Sequence, residues 1–199
     1  MFKGTRYILF ILIYLFYNSV ALAIDPEIFV QSTVNRASKV LSEDISKEKK
    51  MKELKNIAID TVDIKGIGFY TLGSVRKSLN ESDKKKYAVL FEEYFLKSFS
   101  SRLAEYTNPE INVYGKKVLN NNYTIVNSVL IGTKDRPEIK IDWRIYTKDP
   151  GKPLIRDLII EGLSLARTQK EEFNSVLQSN NNDINELFKT LESFIKTEQ

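Results

Sequence analysis

Residues 108–161, NPEINVYGKKVLNNNYTIVNSVLIGTKDRPEIKIDWRIYTKDPGKPLIRDLIIE, decide the fold, because here apolar residues stop recurring every three or four positions and begin to alternate. Three segments, 111–119, 122–132 and 138–147, are parted by the turn-forming runs NNN and TKDRP. In the third, Ile139, Ile141, Trp143 and Ile145 alternate with Lys140, Asp142 and Arg144, which gives one apolar face and one wet face. A KDPGKP turn leads to a fourth strand at 154–162, LIRDLIIEG. Connections this short favour an antiparallel meander.

Upstream the period is helical. Ser82 is a plausible N-cap for a long helix reaching Tyr106, and Tyr87, Leu90, Phe91, Tyr94, Phe95, Phe99, Leu103 and Tyr106 line one aromatic face of it. Before it, DIKGIGFYTLG at 63–73 carries Gly66, Gly68 and Gly73 and reads as a short helix bounded by turns. Earlier still, Asp25 can cap a helix that begins with Pro26 and has Ile28, Phe29, Val34, Ala37, Val40 and Leu41 on one stripe. A polar break then precedes a second stripe at Met51, Leu54, Ile57 and Ala58.

Downstream of the meander, Leu165, Phe173, Val176 and Leu177 mark one helix. Asp183 can cap another, with Ile184, Leu187, Phe188, Leu191, Phe194 and Ile195 inward. Runs of helices kept apart from a run of strands give an α+β fold, with helices packed on one face of a roughly four-stranded antiparallel meander. The layers form a cup.

The N-terminus adds an address. Lys3 and Arg6 precede the apolar run 7–17, and Ala21-Leu22-Ala23 has the small residues a signal peptidase needs, so residues 1–23 read as a cleavable export signal. The apolar run is about half of the roughly 20 residues a membrane-spanning helix requires. Cleavage would leave residues 24–199 as a single domain, and no cysteine follows the small residues as a lipoprotein would need.

The composition narrows the chemistry. The chain has no cysteine, so a core rather than disulfides must hold it, and no histidine, which removes the usual metal ligand and the usual base at neutral pH. No metal or cofactor is expected. Thirty basic against 26 acidic residues form no basic block, which argues against nucleic acid. Lys-rich stretches at 47–55 and 84–86 fit solvated helix faces or partner contacts. Acidic residues Asp142, Asp157 and Glu161 are the candidates for acid–base work, though carboxylates on alternating strands ordinarily sit on the wet face. Eleven Phe, ten Tyr and one Trp are many rings for such a chain. They fill a core or line a cavity, and periodicity alone does not distinguish the two.

Two segments carry a resemblance. Residues 71–106, TLGSVRKSLNESDKKKYAVLFEEYFLKSFSSRLAEY, resemble the Leu-Gly turn and aromatic helix of the MlaC family of periplasmic phospholipid-binding proteins. Residues 156–173, RDLIIEGLSLARTQKEEF, resemble that family's strand-to-helix signature, with Asp157, Glu161, Gly162, Ser164, Leu165 and Phe173 at the matching positions. The family's Trp before the aspartate is absent, and Gln169-Lys170 stands where the family has Tyr-Arg.

The resemblance implies a non-enzymatic, monomeric carrier in the periplasm. It would shuttle phospholipid between an outer-membrane lipoprotein-porin complex and an inner-membrane ABC transporter complex. Joined to the inward periodicity, it makes Phe91, Phe95, Phe99, Trp143, Ile145 and Leu158 the candidate lining of an apolar pocket between sheet and helices. Two other readings stay open: an enzyme that uses a buried carboxylate and a Tyr on a small apolar substrate, and an adaptor with a solid core.

Overall fold

The computed structural model of the chain describes residues 23–134 and 136–197. The export signal lies outside the described residues except for Ala23. The first helix, α1 (Pro26–Ser42), starts where Asp25 accepts the Glu27 N–H and Pro26 takes a position needing no donor. Helices α2 (Lys47–Thr61) and α3 (Ile64–Thr71) follow, capped by Ser46 and Asp63. A 3-10 turn (Val75–Lys77) then leads into α4 (Glu81–Leu103). The cap of α4 is Asn80 rather than Ser82, its side chain accepting the Asp83 N–H at 2.8 Å.

The sheet has five strands, β1 (Ile111–Asn120), β2 (Tyr123–Leu130), β3 (Ile139–Tyr146), β4 (Leu154–Ile160) and β5 (Leu163–Ser164), in sequential antiparallel order. The meander is thus one strand longer than the sequence indicates. Two residues, Leu163 and Ser164, pair back onto β4 through a turn with Glu161 at φ 49° and Gly162 at φ 84°. Two-residue hairpin turns of the primed kind need that conformation, and glycine supplies the second position without strain. Helices α5 (Leu165–Ser179) and α6 (Ile184–Lys196) complete the chain, capped by Ser164 and Asp183.

Register fixes which strand residues share a face. Val126 lies opposite Trp143, Thr124 opposite Ile145, and Trp143 opposite Leu158. This is the buried face: Val126 and Ile145 are wholly enclosed, and the Trp143 indole N–H donates to Ser128 Oγ at 2.8 Å. Asn127, Asp142 and Arg144 occupy the other face. Helix α1 rests on β1 and β2, while α3 and α5 rest on β4. Helix α4 is placed differently. It packs against α2, α3 and α6.

That packing needs small residues. A Cβ on Gly68 of α3 would lie 2.7 Å from the Phe91 ring of α4. The glycine lets the two helices approach.

Candidate functional site

The six apolar candidates separate by burial. Phe91, Trp143 and Ile145 are enclosed in the core, where the Phe91 ring meets Phe173 edge-on at 6.2 Å. Phe95, Phe99 and Leu158 are half-buried, packed against the core on one side only. The Phe95 and Phe99 rings stack at 5.6 Å and 9°.

The division follows the length of α4. Near its start Tyr87 is wholly buried, its hydroxyl hydrogen-bonded to Thr71 at 2.7 Å, and burial pushes its pKa far upward. From Tyr94 onward Phe95, Leu96, Phe99 and Leu103 are all half-buried. On the sheet, Ile141 and Leu158 of the inward face are half-buried too, and at its far end so are Ile111, Leu130 and Ile139. Apolar side chains of α4 and of the inward sheet face, which share one core, are thus both left partly uncovered toward one end.

A cleft of about 470 Å³ opens at that end. Tyr106 and Pro109, just beyond α4, form one wall, and Leu130, Ile131 and Ile139 form the other. Arg136 sits 5.7 Å from the Tyr106 ring at the rim. Glu105 and Glu110 are also at the rim, and a bond to Lys47 at 2.7 Å holds the Glu105 pKa below its ordinary value. None of the six candidates lines this cleft directly. Tyr106 and Ile139 close the aromatic face of the helix and open the apolar face of the third strand, so the sequence pattern contains them.

The acidic candidates have structural partners. Asp157 is 3 % exposed, contrary to the expectation of a wet face. Its register opposite Arg144 puts it on the face away from Trp143, and the start of α5 covers it there. Its carboxylate accepts from Ser164 Oγ at 2.6 Å and from the Ala166 N–H at 3.0 Å. Asp142 accepts from Asn127, and Glu161 accepts the Lys140 N–H. Among the described residues no acidic cluster is arranged to hold a metal, and no helix is long and apolar enough to cross a membrane.

The family's Tyr-Arg positions are also occupied structurally. Gln169 accepts the Tyr94 hydroxyl at 2.8 Å, and the Lys170 ammonium lies 5.2 Å from the Tyr70 ring. Both ties join α5 to the helical layer.

The family pattern described as "MlaC protein" matches residues 31–193, from α1 into α6. The chain belongs to the MlaC family. Among solved structures, the fold is similar to that of a phospholipid-binding protein from Ralstonia solanacearum, determined in complex with a phospholipid. The TM-score is 0.73 at 17% identity, covering 86% of this chain and 97% of that one. At that identity the likeness establishes the α+β fold. A search of curated proteins found no match.

Proposed function

We propose that this MlaC-family chain is a phospholipid-binding carrier of the periplasm, exported through a signal ending at Ala23 and folding as one lipid-binding domain from residue 24. One observation carries the reading: the aromatic face of α4 is fully packed at Tyr87 and Phe91 but half-buried from Tyr94 onward, beside a sheet face that is half-buried at the same end. Half-covered rings at one end of a shared core suit a guest that supplies the missing contacts. Acyl chains are such a guest. Phe95, Phe99 and Leu158 would meet them directly, with Phe91, Trp143 and Ile145 as the packed wall behind.

The energetics agree. Burying one CH₂ is worth about 0.8 kcal/mol, so a 16-carbon chain represents on the order of 12 kcal/mol that water would withhold. A soluble carrier must supply that burial itself. The headgroup stays in water at the mouth, so no dense cluster of polar ligands is needed. In this reading the carrier is a monomer that moves lipid between an outer-membrane lipoprotein-porin complex and an inner-membrane ABC transporter complex, without catalysis.

The test is direct. The protein is purified from the periplasm of a Gram-negative host, extracted with organic solvent and analysed by mass spectrometry. Phospholipid in stoichiometric amount is expected; a protein that is lipid-free and also accepts none from vesicles would overturn the reading.

A further inference from the structure

At the opposite end of α4 lies a second cleft, of about 590 Å³, between α3, the 3-10 turn and the first turns of α4. It is lined by five cations, Lys65, Arg76, Lys77, Lys84 and Lys85, with Phe69 and Ala88 half-buried among them. The one carboxylate, Glu81, is tied to Lys84 at 2.8 Å, and that contact lowers its pKa. Lys65, Arg76, Lys77 and Lys85 make no ion pair among the described residues.

Elsewhere, lysines that reach another element have a partner there: Lys47 pairs with Glu105, Lys86 with Glu192 and Lys116 with Asp25 and Glu27, while Lys50 and Lys97 donate to helix-end carbonyls. Crowding like charges round a concavity raises the local potential and opposes the compact state, and a bound anion relieves it.

We infer that this cleft is a docking groove for an acidic, extended segment of a partner protein, one that also presents an apolar side chain. The shape selects a segment over a bilayer. Lys65, Arg76, Lys77 and Lys85 are exposed while Phe69 and Ala88 are half-buried, so the apolar groups are set back behind the cations rather than projecting outward as insertion into a bilayer would need. An extended chain lying across the cleft points every second side chain into it, so an apolar residue and the acidic residues two positions to either side can face it together. The apolar residue enters over Phe69 and Ala88 while the acidic ones reach the cations.

The groove does not depend on the lipid reading. Helix α4 has 23 residues, so its two ends are roughly 34 Å apart at 1.5 Å per residue. A partner seated at one end leaves the other clear.

The experiment uses the full exported protein and a fluorescein-labelled 12-residue peptide of Asp and Glu with one central Leu, followed by fluorescence anisotropy. Binding that weakens with rising salt is expected. Reversing the cleft charges in the double variant R76E/K77E should weaken binding roughly tenfold. The control K117E/K140E, with the same change in net charge at exposed strand positions, should stay within about twofold. Ala88→Glu and a Leu→Ser peptide should each weaken binding as well. All substituted positions are at least partly exposed, and circular dichroism checks their folding.

Equal losses in the cleft and control variants would overturn the groove, as would a peptide that fails to bind the wild type. Vesicles of phosphatidylglycerol bound through Arg76 and Lys77, with no peptide binding, would reassign it to a membrane and overturn it too. The lipid content of R76E/K77E is expected to match the wild type, so failure of the groove and failure of the carrier reading are told apart.

Discussion

The Asp157 carboxylate accepts the Ser164 hydroxyl at 2.6 Å and so fastens strand β4 to the cap of the next helix. Ser164 in turn accepts the Arg167 N–H at 3.1 Å, so one serine serves both partners. Asp157→Ala would leave the Ser164 hydroxyl and the Ala166 N–H without their acceptor, at a cost of about 3 kcal/mol. Asp157→Asn should cost less, since an amide oxygen still accepts one bond. Urea unfolding followed by circular dichroism checks both.

The burial gradient along α4 separates stability from lipid retention. Phe91→Ala removes a ring enclosed on every side and is expected to cost about 3–5 kcal/mol. Phe95→Glu and Phe99→Glu alter half-buried rings, and should leave the fold intact while lowering co-purified phospholipid by more than about tenfold, because a carboxylate facing an acyl chain is strongly disfavoured. Lipid extraction alongside thermal melting distinguishes the two classes.

Gly68→Ala tests the approach of α3 to α4. The added methyl would meet the Phe91 ring at 2.7 Å. Overpacking of this kind costs about 1–3 kcal/mol, enough to reverse the ordinary helix preference for alanine. A lower urea midpoint is expected.

Acid should loosen α1. The Asp25 pKa is lowered, chiefly by its bond to Lys116 of β1, with the Glu27 N–H helping. A carboxylate with a depressed folded-state pKa contributes stability above its unfolded value, near pH 4, and loses it as pH falls through the folded value. Lys116 has a raised pKa, so its part is present through neutrality and is lost only in strong alkali. Denaturation from pH 7 to pH 2 should therefore show Asp25→Asn less stable than wild type at neutrality, with the gap closing in acid. Salt should narrow it throughout, as both groups are partly solvated.

Much of the fold is legible because local signals and tertiary packing agree. Asp25 and Asp183 cap the helices whose starts they mark in the sequence. Alternation in 139–145 gives the inward face of β3 directly. The two-residue β5 carries no period of its own, and only its pairing with Ile159 and Ile160 makes it a strand. Asp157 reads as solvent-facing because alternation puts it opposite the apolar side, whereas the helix folding over it is set by the Glu161-Gly162 turn. The basic cleft draws on residues 65, 69, 76, 77, 84, 85 and 88, from three elements. The lysine run at 84–86 shows in the sequence, but its convergence with Lys65 and Arg76 exists only in three dimensions.

Helix α4 is carried by α2, α3 and α6, whereas α1, α3 and α5 are the helices that rest on the strands. It is a rafter borne on its own frame. Raising or lowering it repacks helix against helix and breaks none of the hydrogen bonds that knit the sheet. In the carrier reading, a helix mounted this way lets the space beside its C-terminal half fit acyl chains of different girth without redesigning the floor.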